Sequence, residues 1–109
     1  MAWLTRGDEV LATVEIAETR AARARGLLGR EDFDGAMLLR PARSVHTIRM
    51  RFPVDVAYCD RGMKVLRLAT MRPNRIGRPT WRARCVVEVP AGAFDKWRLR
   101  VGDQLEVRT

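Results

Sequence analysis

Cysteine is scarce in this chain. Cys59 and Cys85 are too few for a disulfide framework, and no short-range ligand pair joins them or the single histidine, His46, into a zinc-binding pattern. Lysine is scarce too, since only Lys64 and Lys96 among the 21 basic residues are not arginine. No apolar run approaches the ~20 residues of a transmembrane helix. The opening "MAWLTRGDEV" meets an arginine and two acids before an apolar run forms, which argues against a secretory signal. These absences make a reduced, cytoplasmic compartment the expectation, with no metal, no cofactor and no membrane partner. Internal repeats, low-complexity tracts and interdomain linkers are missing as well.

What is present is the composition of an ordinary folded domain. Apolar residues make up 47% of the 109 and charged residues 31%, far from the composition of disordered chains. One domain over residues 1–109 is expected, burying roughly two-thirds of the surface its unfolded form exposes. The net charge of +8 favours acidic partners such as nucleic acid. The preferred reading is nevertheless arginine scattered over a solvated surface, because no run of five or more like charges marks a tail.

Hydrophobic periodicity gives the elements. "RGD" at 6–8 reads as a hairpin turn between strands over 2–5 and 9–17. Thr19 can cap a helix over about 19–29, "RAARARGLLGR", with Ala21, Ala24 and Leu28 on one stripe. Gly26 inside that pattern implies tight packing or an early end at "GLLG", and packing is preferred. "AMLLR" is a short strand stopped by Pro41. Val45 to Phe52 alternate, placing His46 on a face with Ile48, Met50 and Phe52, so the histidine is expected at the core or its rim. Pro53 bends the chain into "VDVAYCD", "DRG" turns it into "MKVLRLAT", and residues 72–84 read as a long exposed loop. "CVVEVPAG" is a buried-type strand, "AFDKWRL" at most two helical turns, and a terminal strand follows "GDQ". The expected fold is α+β: a mostly antiparallel curled sheet or small barrel-like β fold, with one main helix over about 19–29 and a short second one.

Candidate chemistry gathers around the sheet's open end. His46 and Asp55, on strands expected to adjoin at Pro53, would make a base and its orienting carboxylate, with Ser44, Thr47 or Cys59 as conceivable nucleophiles. No elbow or triad signature accompanies them, so catalysis is the minor reading. Asp55 between two valines needs donors if covered, and Arg25 or Arg51 is positioned to supply them. Glu88 in "VVEVPAG" faces the same question, with solvent exposure as the plain answer. The loop 72–84 mixes Arg75, Arg78 and Arg82 with Trp81, a composition that can hold phosphates and stack a base of single-stranded nucleic acid. A solvated loop with Trp81 folded onto the body is preferred.

With "RARGLLGR", "HTIRMRFPVDVAYCD", "VVEVPAG" and "VGDQL" in order, the chain resembles the domain of unknown function number 192 family from about Glu15 to Val107. The family's motifs fall on Arg23 or Arg25, Gly26, Leu27 and Arg30; on Met50, Pro53 and Asp55; on Glu88, Pro90, Ala91 and Gly92; and on Gly102 and Asp103. The resemblance implies a small β-rich fold with a helix and brings no activity, cofactor or catalytic residue. Several similar sequences carry cysteine where Ala42 stands, so thiol chemistry is not expected there. The leading functional expectation is a non-catalytic module binding a small molecule or protein partner through His46, Met50, Asp55, Arg25 and Glu88. An enzyme using His46 and Asp55 and a nucleic-acid binder using residues 72–84 are the alternatives.

Overall fold

A computed structural model describes residues 1–28, 30 and 33–109. The "RGD" turn folds β1 (Ala2–Arg6) antiparallel onto β2 (Glu9–Ala17), from Ala2↔Val14 to Arg6↔Glu9. α1 (Arg20–Arg25) carries the chain across to β3 (Ala36–Leu39), which lies parallel to β2. β4 (Val54–Cys59) and β5 (Val65–Met71) form an antiparallel pair, and β6 (Cys85–Pro90) inserts between β4 and β3. α2 (Ala93–Trp97) follows, and β7 (Glu106–Arg108) pairs with β1. One seven-stranded mixed sheet results, in the order β5-β4-β6-β3-β2-β1-β7.

The α+β class agrees with expectation, and the barrel-like alternative does not, since the sheet is mixed and stays open. β5 and β7 remain edges, tied at one corner by Val65 N–H to the Asp103 carbonyl (2.9 Å) and Leu105 N–H to the Met63 carbonyl (3.0 Å).

The single main helix is also overturned. Thr19 does cap α1, its hydroxyl accepting from Ala22 N–H at 3.0 Å, but the helix ends after six residues. Gly26 is the cause: it sits at φ 46°, ψ −122°, a turn conformation closed to most L-residues, and so acts as a stop instead of a packing notch. Ala21 and Ala24, expected on the buried stripe, are exposed, and Leu27 just past the helix is the residue that buries. The remainder of the expected helix includes Gly29, which lies outside the described residues.

The expected strand over 45–52 is a loop. Thr47, fully buried, replaces ladder pairing with local bonds. Its amide donates to the Arg75 carbonyl (2.8 Å), its hydroxyl donates to the Arg72 carbonyl (2.5 Å), and the hydroxyl accepts from Arg75 N–H (2.9 Å). A single bridge, His46↔Ile76, is all the β-pairing this segment makes among the described residues.

The three central strands β3, β4 and β6 are buried almost throughout, which their continuous apolar runs require, because both faces of the sheet are covered. Strand alternation sorts the core into two layers. Ala57, Cys59, Val87 and Val89 pack under Phe94 and Leu99 on the α2 side. Val54, Val56, Tyr58 and Val86 pack under Leu27 and Met50 on the other. Each fully buried valine or leucine among them stabilises the fold by roughly 1.5–3 kcal/mol. Asp55 falls on the first face and Glu88 on the second, for Asp55 pairs with Val89 and Val56 with Glu88 in register. No helix among the described residues is long and apolar enough to cross a membrane, which leaves β-barrels aside.

Candidate functional site

On the second face, the turn after α1 and residues 41–50 stand apart over β3 and β6, leaving a cavity of about 270 Å³. Its walls mix apolar and polar groups, with Leu28, Leu39 and Met50 on one side of that balance and Arg23, Arg25, Ser44 and His46 on the other. Glu88 reaches it from the middle of β6. The expectation of an exposed Glu88 is therefore wrong: the residue is 3% exposed, because β6 is covered on both faces.

Glu88 is the anomaly of the structure. Among the described residues its carboxyl has no hydrogen-bond or ion-pair partner, although buried carboxyls are ordinarily satisfied by several donors. Burial alone pushes its pKa from 4.5 up to about 7. Gly26, the stop of α1, lies against this carboxyl, for a Cβ there would stand in contact with Glu88 Oε1 at 3.4 Å. The glycine of one motif and the glutamate of another, 62 positions apart in the sequence, thus meet at this cavity.

Of the expected ligand-binding set, His46, Met50, Arg25 and Glu88 come together here, and Asp55 does not. Asp55, 4% exposed, lies across the sheet and holds the start of α2. Its Oδ2 accepts from the Gly92 amide (2.9 Å) and the Phe94 amide (3.2 Å), and its Oδ1 accepts from the Thr70 hydroxyl (2.7 Å). The carboxylate is thus satisfied without the guanidinium that the sequence led one to expect. It supplies the cap that α2 lacks, whose own N-cap is Gly92.

The expected His46–Asp55 pair is consequently not formed, because the strand over 45–52 that would have set them side by side is absent. His46 is exposed at the cavity rim, not turned to the core, and its Nδ1 accepts from Ile48 N–H at 3.3 Å. A neutral imidazole in that arrangement carries its proton on Nε2 and presents a donor. Ser44 spends its hydroxyl on the Gly77 carbonyl at 3.1 Å. Cys59 and Cys85, directly opposite each other on β4 and β6, are buried on the far face. No three potential metal ligands gather among the described residues.

Residues 72–84 form the long, largely exposed loop that was expected. They are laced to residues 43–47, with Gly77 N–H on the Val45 carbonyl (2.8 Å) and Thr80 N–H on the Arg43 carbonyl (2.9 Å). Trp81, expected to fold onto the body, is 76% exposed. The basic charge is not scattered either. Residues 61–87 hold eight of the 21 basic residues and none of the 13 acids, so they carry the whole net charge of +8 while the rest of the chain balances. Sequence reasoning missed Arg67 and Tyr58, which this region joins, yet the acid-free stretch was there to be read.

An open mixed sheet with short helices on both faces and a buried, unpaired acid under the first of them defines the class of domain. The chain matches the family model DUF192, described as Uncharacterized ACR, over residues 2–107, and belongs to that family. It is 30% identical over 108 residues to a UPF0127 protein of Pyrococcus furiosus, covering 94% of this chain and 93% of that one. Two solved structures are similar in fold. A Novosphingobium aromaticivorans protein of unknown function has a TM-score of 0.79 at 19% identity, over 96% of this chain and 82% of the other. A Sinorhizobium meliloti protein, described as a proposed transcription regulator, has a TM-score of 0.82 at 21% identity, over 97% of this chain and 91% of the other.

Proposed function

We propose that the protein is a non-catalytic binding module that takes a small ligand in the cavity beside Glu88. The observation that carries this reading is the Glu88 carboxyl itself, 97% removed from solvent yet unpartnered among the described residues. Its oxygens open onto the cavity, so a ligand that hydrogen-bonds to them takes the place of water there. The ligand class follows from the walls. An apolar body packs on Leu28, Leu39 and Met50. One polar end meets Glu88: an amine or hydroxyl donor above pH 7, or an acceptor when the acid is protonated. A second, anionic end would reach Arg25 or Arg23 at the rim. A volume of about 270 Å³ is near the lower limit of small-molecule pockets, which selects compact ligands.

A carboxyl with a pKa near 7 also suits a general acid or base. The binding reading is preferred because Ser44 is engaged elsewhere and His46 presents a donor toward the rim. Methyl NMR of the protein titrated with a panel of small apolar amines, alcohols and carboxylates tests it. Binders are expected to perturb the Met50 methyl signal and to lose affinity at least tenfold with Glu88→Gln. A panel without any compound that perturbs Met50, or binding that survives the substitution unchanged, refutes the reading.

A further inference from the structure

The cavity beside Glu88 leaves the charge of residues 61–87 unused. We propose that β5 and residues 72–84 bind single-stranded nucleic acid, with phosphates along Arg67, Arg72, Arg75 and Arg78 and a base stacked on Trp81.

The side chains are arranged for it. β5 and the following loop enclose a groove of about 350 Å³, and those four arginines all line it. None has a carboxylate partner among the described residues, and no acid lies in the groove lining. Neutral acceptors hold the central one in place. Arg67 donates to the Thr80 hydroxyl (2.9 Å) and the Arg78 carbonyl (2.6 Å), and its guanidinium lies 4.1 Å above the Tyr58 ring. Its charge is positioned without being neutralised, which suits a bidentate phosphate donor. Tyr58 lies on the groove floor, its enclosed hydroxyl without a hydrogen-bond partner among the described residues. Gly77 permits this, because a Cβ there would stand 2.9 Å from the Tyr58 oxygen and 2.7 Å from the Val45 carbonyl.

Beyond the groove, Arg84 donates to the Trp81 carbonyl at 3.0 Å, and the indole stands 76% exposed between arginines. An exposed indole flanked by guanidiniums presents a free aromatic face beside phosphate-binding charge. Stacking on an unpaired base covers that face. A concave groove favours a flexible strand over a flat bilayer, and the demand for an unpaired base favours it over duplex. Guanidinium forks favour phosphate over an acidic peptide only in degree, so the experiment separates these partners.

Fluorescence anisotropy of a labelled oligouridylate of about a dozen nucleotides, titrated with the full chain from low to physiological salt, is the test. The expected slope of log affinity against log salt is about −3, for four phosphates each contributing about −0.7. Replacing Arg72, Arg75 and Arg78 together by Gln is expected to reduce that slope by about 2. Trp81→Ala is expected to weaken binding about ten- to a hundredfold with the slope unchanged. Trp81 is exposed, so this variant keeps the fold, which circular dichroism verifies. Glu88→Gln is expected to leave oligonucleotide affinity as it was, so failure of the ligand cavity and failure of this surface read differently. Absence of binding at low salt overturns the proposal. So does equal or tighter binding of duplex, polyglutamate or anionic phosphatidylglycerol vesicles, or affinity indifferent to Trp81→Ala.

Discussion

Removing the charge from the buried glutamate should change how stability depends on pH. Glu88 in the unfolded chain titrates near 4.5 and in the folded protein at about 7. Between those values the native state holds a proton that the unfolded state has lost, so raising the pH favours unfolding. The stability present below pH 4.5 is lost as pH climbs through 7, and none of it returns above. At about 1.4 kcal/mol for each pH unit of displacement, the loss is about 3 kcal/mol. The side chain is almost wholly buried, so solvent screening takes little from that figure. Glu88→Gln keeps the shape and removes the titration. Urea unfolding at pH 5 and pH 8.5 for both proteins isolates the group, because every other titrating residue is common to the two. The wild type should lose about 2.5 kcal/mol more than the variant across that range, the remainder falling below pH 5, a difference in midpoint of about 2 M urea for a domain of this size. At pH 8.5 the variant should be the more stable protein. Parallel pH profiles for the two would refute the reasoning.

Other substitutions test the supports of the site. Asp55→Ala removes the acceptor of two α2 amides and the Thr70 hydroxyl, and should cost about 2–4 kcal/mol in urea unfolding with loss of hydrogen-exchange protection at Gly92 and Phe94. Gly26→Ala places a Cβ 3.4 Å from Glu88 Oε1 at a positive φ, and should cost about 1–3 kcal/mol by the same assay while weakening any ligand that occupies the cavity. Cys59 and Cys85 are 0% and 1% exposed, so a thiol reagent should label neither in the folded protein at neutral pH and both in urea; rapid labelling of the native state would contradict the packing of β4 against β6.

Much of the fold was legible because strand alternation and turn residues are local signals. The hairpin at "RGD", the strand "AMLLR" ahead of Pro41 and the buried run "CVVEVPAG" fall where their patterns put them. The misreadings have long-range causes. Val45 to Phe52 alternate like a strand, but Thr47 finds its partners in Arg72 and Arg75, far along the chain, and the segment becomes a laced loop. The helix pattern ran on through Gly26, where backbone conformation at one residue ended it. Four of the five expected ligand-binding residues meet at one cavity, Glu88 from β6, Arg25 from the end of α1 and His46 and Met50 from the loop over them. Asp55 lies on the opposite face because a one-residue offset along paired strands flips a side chain across the sheet. The valine neighbours of Glu88 raise its burial as a question, yet its lack of a partner among the described residues depends on how the chain packs after α1, which no local pattern encodes.

The most direct measurement is the titration of the Glu88 side-chain carboxyl carbon by NMR in the intact protein, assigned by its disappearance in Glu88→Gln. A midpoint near 7 is predicted, moving when a cavity-binding compound is added. A midpoint near 4.5, unmoved by any such compound, would contradict the buried, unpaired acid on which the account of this protein stands.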